Sequence, residues 1–200
     1  MRLYSGTSEQ FINDNIQNAI ADKLKAAFFD YFRYYPSPQE INSWRNSLRA
    51  LSQTFQYANL LDHGIILEYQ LPLTSKRLDC LVCGKDEESN DNAVVIELKQ
   101  WEKCDDAYGE NEVLTWVGGA KREVLHPSAQ VGQYKMYLQD LHTAFNNPKD
   151  RVNLTACTYI HNYKYDKNDI LFSQKFSDLL ELYPLFTGDR VDEFKGYLTT

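Results

Sequence analysis

Asn92-Ala-Val-Val-Ile96-Glu97-Leu98-Lys99 is an apolar run that closes on two charged side chains one residue apart. Successive side chains of a strand point to opposite faces, so Glu97 and Lys99 share one face while Val94, Ile96 and Leu98 take the other. A run this apolar predicts a strand in the middle of a sheet, with a carboxylate and an ammonium side by side at its end. Upstream, Arg77-Leu-Asp79-Cys-Leu81 reads as a neighbouring strand. Pairing of the two carries Asp79 up beside Glu97 and gives two hard oxygen ligands for a divalent cation. The plainer readings are Asp79 as a turn residue and Glu97 with Lys99 as a surface ion pair of little worth. Charges that interrupt a central strand favour the site, because such groups are usually functional or paired.

The bulk of the chain bounds the answer. Its 200 residues, 43% apolar, suffice for one well-filled core and make two independent domains an unneeded assumption. We therefore expect one domain over 1–200: N-terminal helices over 1–62, a core over 63–160, and a helical extension over 161–200 that leads toward any further domain. The 14 Tyr, 10 Phe and 3 Trp predict broad amphipathic contact surfaces as well as a core. The first residues lack the apolar stretch of a signal peptide, and no segment approaches a membrane-spanning length, so a cytoplasmic protein without a membrane partner is expected. Cys80, Cys83, Cys104 and Cys157 are widely spaced and predict reduced thiols. Cys80-Leu-Val-Cys83 has the spacing of a zinc knuckle, yet on a strand the odd offset sends its sulfurs to opposite faces.

A formal charge of −7 argues against wrapping nucleic acid by charge alone. Much of the acidity lies in Asp86-Glu-Glu88, Asp91 and Glu102 to Glu112, which read as solvated loops and leave room for a smaller basic face. Lys76, Arg77, Lys99, Lys121, Arg122 and Lys135 are its candidates.

Thr7-Ser-Glu-Gln10 has the form of a capping box, and the apolar spacing from Ile12 to Phe32 predicts one long helix ending near Tyr34. Pro36-Ser-Pro-Gln-Glu40 stops it and starts a second, with Ser37 as N-cap and Pro38 at the first position. Strands are predicted at Ile65 to Leu71, Arg77 to Cys83 and Asn92 to Trp101. Cys104 to Gly119 reads as a long loop. Pro127 begins a third helix, Val152 to Tyr159 is a strand, and helices are expected over Asp169 to Leu182 and Asp189 to Leu198. The order is that of an α/β fold in which a mixed central sheet is flanked by helices.

Asp79, then Glu97-Leu98-Lys99, then Gln130-Val-Gly-Gln-Tyr134 resembles the PD-(D/E)XK nuclease superfamily, and the last element resembles the Gln-x-x-x-Tyr helix of its RecB-like branch. Pro36 to Leu48 with Leu67 to Pro72 is similar to the N-terminal domain of uncharacterised bacterial proteins that continue into a P-loop helicase-like ATPase. Leu78 stands where the superfamily's name places proline, and no Walker motif occurs in these residues, so an ATPase domain or partner would lie beyond Thr200. The resemblance implies a restriction-endonuclease-like core that hydrolyses DNA, with RNA as the alternative substrate, in DNA processing or antiphage defence. It implies Mg²⁺ or Mn²⁺ held by Asp79, Glu97 and the Leu98 carbonyl, with Lys99 holding the attacking water and Gln130, backed by Tyr134, orienting the site. A rival reading is a nuclease fold that has lost its chemistry and binds nucleic acid or a partner protein for a neighbouring helicase.

Glu40 matches the place from which the superfamily often supplies one further acid, but Ser37-Pro-Gln-Glu40 is equally a capping box that needs the carboxylate only to close the helix start. Glu68 competes for the same role, against a solvent-facing alternative. Arg77, Tyr134, Lys121 and Arg122 are the candidates for contact with nucleic acid. His126 before Pro127 reads as a helix-entry residue. Trp44, Trp101 and Trp116 could stack bases, though packing is the commoner use of tryptophan.

Overall fold

The computed structural model describes residues 1–86, 88–147 and 151–199. Glu87, read above as part of a solvated loop, lies outside them. In chain order the elements are β1 (Tyr4–Thr7), α1 (Ser8–Ile16), α2 (Ile20–Phe32), α3 (Pro38–Tyr57), β2 (Gly64–Gln70), β3 (Arg77–Lys85) and β4 (Asp91–Lys99). There follow β5 (Cys104–Asp106), β6 (Glu112–Val117), β7 (Ala120–Leu125), α4 (Pro127–Leu141), α5 (Thr143–Asn146), β8 (Asn153–Ile160), α6 (Ser177–Leu182), β9 (Leu185–Thr187) and α7 (Val191–Leu198).

Six strands form a mixed sheet in the order β1-β2-β3-β4-β8-β9. The first four pair antiparallel, and β4-β8-β9 run parallel. The alternation read from β4 holds. Ile96 and Leu98 pack with Phe11, Leu24, Leu51 and Phe55 under α1 to α3, while Ala93 and Val95 pack with Val131 and Leu138 of α4 on the other face. The fully buried Val, Leu, Ile and Phe side chains among them contribute about 1.5–3 kcal/mol each. Helices on both faces make β4 central, as its uninterrupted apolar run requires. The expected α/β architecture, a mixed central sheet flanked by helices, is therefore the one present.

Three local expectations fail for physical reasons. The single long N-terminal helix is two, because Asn18 adopts a left-handed conformation (φ 56°) that asparagine tolerates better than most residues. Lys23 of α2 then reaches back to Asp14 of α1 at 2.7 Å across the corner. The long loop expected over Cys104 to Gly119 is instead largely a second sheet, β5-β6-β7. Gly118 and Gly119, both with positive φ, make the two-residue turn that joins β6 to β7 and that suits the twist of a hairpin. Over 169–182 only Ser177–Leu182 is α-helical. Asp169 accepts the Leu171 N–H at 2.9 Å and the Tyr163 hydroxyl proton at 2.8 Å, which holds the chain in a tight turn where the helix was expected to begin.

The capping box at Thr7 is complete, with Gln10 N–H donating to Thr7 and Thr7 N–H donating to the Gln10 side chain. All four cysteines are free thiols, and Cys80 and Cys83 face opposite sides of the sheet. No helix among the described residues is long and apolar enough to cross a membrane.

Candidate functional site

The β3–β4 pairing runs from Lys85↔Asp91 to Cys80↔Ile96 and stops there. Continuing that register sets Asp79 opposite Glu97, at the point where the two strands part. The Asp79 carboxylate fills the gap, and its Oδ2 accepts the Leu98 N–H at 2.7 Å in place of a backbone partner. A strand end that would leave a donor unpaired thus holds an acid beside Glu97.

Glu97 is 2% exposed. Lys99 Nζ donates to Glu97 Oε1 at 2.6 Å and to Gln130 Oε1 at 3.0 Å. Gln130 Nε2 donates to the same Glu97 oxygen at 2.7 Å and to the Tyr134 hydroxyl at 2.9 Å. The amide of Gln130 is therefore committed through both of its ends, and Tyr134, itself buried, fixes it from one helical turn away. Glu97 Oε2, by contrast, is buried without a hydrogen-bond partner. Lys99 also lies 5.6 Å from the centre of the Trp101 ring.

The electrostatics follow from this crowding. Burial, and then the neighbouring Asp79 charge, push the Glu97 carboxyl up to about 8 against the pull of Lys99. Burial raises Asp79 as well, opposed by Lys99, the Leu98 N–H and Arg77. Burial works against the Lys99 ammonium, but Glu97 and Asp79 more than restore it, and it titrates above its ordinary value. Two acids share a single close ammonium, which leaves the site short of positive charge.

That deficit and the orphaned Glu97 oxygen fit a hard divalent cation. Among the described residues no group of three or more His, Cys, Asp or Glu side chains forms a metal-ligand cluster. The side-chain donors are then two carboxylates, which suits Mg²⁺ or Mn²⁺, ions that commonly take one or two carboxylates and complete their shell with water and phosphate oxygen.

Glu40, Glu68 and Arg77 form a second cluster that the sequence did not foretell. The Glu40 carboxylate pairs with Arg77 Nη2, and its backbone N–H donates to the Ser37 hydroxyl at 3.1 Å. Of the capping box at Ser37, then, the N-cap half is made, while the carboxylate serves an ion pair instead. Glu68 is not solvent-facing: it is 7% exposed, accepts the Trp44 indole N–H at 2.8 Å and lies 3.3 Å from Arg77 Nε. Burial first, then Asp79, raises Glu68 to about 8, against Arg77 and Trp44. In the β2–β3 register Glu68 falls opposite Asp79, and its φ of 51° interrupts the pairing at that point. No sequence signal marks a glutamate for that conformation.

Apart from Trp101 beside Lys99, the remaining candidates make their contacts with other residues than Glu97. Lys121 pairs with Asp105 at 2.6 Å on the second sheet, and Arg122 is exposed beside it. Lys76 donates to Gln133, and Lys135 lies over the Tyr183 ring. Trp44 is the buried donor to Glu68, and Trp101 packs beside the second sheet's core. Trp116 is 68% exposed near the tip of the β6–β7 hairpin. His126 is a helix-entry residue: it is wholly buried, its Nδ1 accepts the Ser128 N–H, and its Nε2 lies 3.1 Å from the Leu171 carbonyl. Burial lowers it to about 4, so it stays neutral. Two clefts of about 560 and 380 Å³ open toward the other end of the sheet, around Gly84 and Asn92, and neither contains the Glu97 cluster.

No protein-family model matches the chain, and no curated protein matches it. Among solved structures it is distantly similar to the crystal structure of a repair endonuclease from Pyrococcus abyssi, with 18% sequence identity and a TM-score of 0.34. The match covers 77% of this chain and 46% of that one, so the chain spans less than half the length of that endonuclease.

Proposed function

We propose that this chain is a metal-dependent nuclease that hydrolyses DNA phosphodiester bonds, in DNA processing or antiphage defence. One observation carries the reading: where β3 and β4 part, Lys99 and Gln130 meet on Glu97 Oε1, Asp79 is held on the N–H of the next residue, and Glu97 Oε2 is buried with no partner. The same four residues occur in the order and on the elements that the PD-(D/E)XK resemblance requires.

Asp79 and Glu97 would hold Mg²⁺ or Mn²⁺, with the Leu98 carbonyl as the backbone ligand that the resemblance implies. A divalent ion there lowers the pKa of a bound water and offsets charge building on the phosphorus. Lys99, held by Glu97 and Gln130, presents its remaining N–H to the attacking water or to a phosphate oxygen. Fixed donors of this kind act where charge develops in the transition state. Gln130 keeps Glu97 and Lys99 in register, and Tyr134 keeps Gln130 there. Glu40 enters only through Arg77, as a partner that holds the guanidinium in place. Thr158 Oγ1 is also buried without a partner, but it carries no charge to recruit an ion.

The test is hydrolysis of single- and double-stranded DNA with Mg²⁺ or Mn²⁺ by the wild-type chain and by Lys99→Ala. Cleavage by the wild type that drops on the order of 10²-fold in the variant supports the reading. Equal cleavage by both removes it. A second reading, a binding module that serves a helicase or ATPase without chemistry of its own, is favoured by the net charge of −7 and predicts no hydrolysis with either ion. RNA in place of DNA is decided by the same assay with an RNA substrate.

A further inference from the structure

Phe28-Phe-Asp-Tyr31-Phe-Arg-Tyr34-Tyr35 brings six aromatic rings into the corner between α2 and α3. They form two layers. Phe28 is buried at 4% exposure, while Tyr31, Tyr34 and Tyr35 stand outside at 58%, 58% and 62%. Each outer ring is braced by an inner phenylalanine. Tyr34 meets Phe28 edge-on at 5.3 Å, Tyr31 meets Phe32 edge-on at 4.9 Å, and Tyr35 stacks on Phe29 at 4.5 Å. Tyr34 also lies 5.8 Å from the Phe32 ring, and both Tyr31 and Tyr34 keep more than half of their surface open to solvent. Lys25 lies 5.3 Å from the Tyr35 ring centre, and Arg33, exposed in a left-handed conformation (φ 64°), closes the helix between the tyrosines.

An exposed aromatic patch of this kind marks an interaction surface. Its occupant follows from what lies next to it. Phe28, which braces Tyr34, lies under the Arg77 guanidinium at 5.5 Å, and Arg77 stands two residues before Asp79. The patch is thus tied by a chain of contacts, Tyr34 to Phe28 to Arg77, to the strand that carries Asp79. Its cations, Lys25 and Arg33, outnumber its one acid, Asp30, in a chain whose net charge is −7. Exposed rings braced by inner phenylalanines, with interleaved cations, suit stacked bases joined by phosphates. Duplex bases keep their faces to themselves, so only an unpaired strand can use such rings.

We infer that Tyr31, Tyr34 and Tyr35 form a stacking platform that delivers a single-stranded polynucleotide to the Asp79–Glu97 site. The inference rests on the nuclease reading for the direction of delivery, and its test separates the two. Anisotropy of fluorescein-labelled oligothymidylate is measured with the full chain in EDTA, where no cleavage competes. Tyr34→Ala weakens binding at least about fivefold, the combined Tyr31→Ala/Tyr34→Ala change weakens it further, and Tyr34→Phe, which keeps the ring, binds as the wild type does. Binding of a blunt duplex of the same length changes less than twofold. All three residues are exposed, so unchanged thermal midpoints confirm that the variants fold.

No binding of oligothymidylate, an equal loss for duplex, or equal affinity in Tyr34→Ala and wild type overturns the platform. So does sedimentation showing that the alanine changes split a dimer while leaving DNA affinity intact, since the patch then joins two copies of the chain. Tyrosine-dependent binding without any Mn²⁺-dependent hydrolysis keeps the platform and removes the nuclease. Hydrolysis that is indifferent to the three tyrosines does the reverse.

Discussion

Two clusters of acid and base, one buried and one part-buried, stand on neighbouring strands, and they are balanced differently. Around Arg77 the acids are met: its guanidinium takes Glu40 and Glu68, the Trp44 indole donates to the other Glu68 oxygen, and the atom left buried without a partner is a donor, Arg77 Nη1. Around Lys99 they are not, because one ammonium serves Glu97 and Gln130 while Asp79 leans on the Leu98 N–H and one Glu97 oxygen is orphaned. Burying a carboxylate is costly unless it is paired and hydrogen-bonded. The carboxylates of the Arg77 cluster meet that condition within the chain, and its spare buried group, Arg77 Nη1, is a donor that calls for no cation. The Lys99 cluster leaves part of it to something from outside. On the proposed function the difference separates a site from a support, although both contain a glutamate raised to about 8.

The largest expected effect tests that division directly. Glu97→Gln and Glu68→Gln each replace a titratable carboxyl by a neutral amide with almost no change of shape. We expect Mn²⁺-dependent DNA hydrolysis to fall on the order of 10²- to 10³-fold in the first, the typical loss for a group acting on transition-state charge. In the second it should fall less than about threefold. Initial rates at saturating metal decide it, and comparable losses in the two would merge the clusters into one catalytic unit.

Next in size is the cost of opening the support. Arg77→Met keeps the length of the side chain but leaves Glu40 and Glu68 without their cation. Breaking a fully buried pair costs about 3–5 kcal/mol. The Arg77 and Glu40 side chains are 24% and 26% exposed, so screening by water reduces the expected loss to about 2–3 kcal/mol. Urea denaturation reads it as a lower midpoint at constant slope. The matching change at the site, Glu97→Gln, should not lower the midpoint at pH 8, because it removes a charge the fold holds at a cost.

The same contrast explains what could be read from the chain and what could not. Glu97 and Lys99 were legible because they break an apolar strand of period two, and Gln130 with Tyr134 through the resemblance to a Gln-x-x-x-Tyr helix, on a helix announced by Pro127. The Arg77 cluster was hidden. Its members come from α3, β2 and β3, and its geometry depends on Glu68 taking a left-handed conformation that propensity assigns to glycine or asparagine. Ser37-Pro-Gln-Glu40 carried a true signal for the helix start and a misleading one for its carboxylate, since a tertiary ion pair outcompeted the local cap. The second sheet was legible in part: Val113 and Thr115 turn inward on alternate positions before Gly118-Gly119, but the acidic residues around them masked the pattern.

A smaller effect comes from filling the charge deficit. In the cation-free chain a raised carboxyl at Glu97 means that the folded state holds a proton the unfolded state releases near 4.5. Its contribution to stability is full below that value and is lost as pH rises through about 8, so the cation-free thermal midpoint should decline from pH 6 to pH 8.5. Mn²⁺ competes with that proton at pH 6 and meets a bare carboxylate at pH 8.5. At ten times its dissociation constant it should add about 1.4 kcal/mol at the higher pH. The shift should be smaller at pH 6 and absent in Glu97→Gln. A shift that survives in that variant places the ion elsewhere.

The smallest effect probes whether the support depends on each of its bonds. Trp44→Phe keeps an aromatic ring in the core beneath Phe28 but removes the indole N–H that donates to Glu68. A buried acceptor left unmet costs about 1–3 kcal/mol. The lower end, about 1 kcal/mol by urea denaturation, is expected here for two reasons. Arg77 still engages the other Glu68 oxygen, and a carboxyl already raised to about 8 can take up a proton in place of the lost donor. Hydrolysis should be unchanged, because no bond of Trp44 reaches Glu97 or Lys99. Should the rate fall with the stability intact, Glu68 would be transmitting its charge to Asp79 across the β2–β3 register, and the support would have to be counted as part of the site.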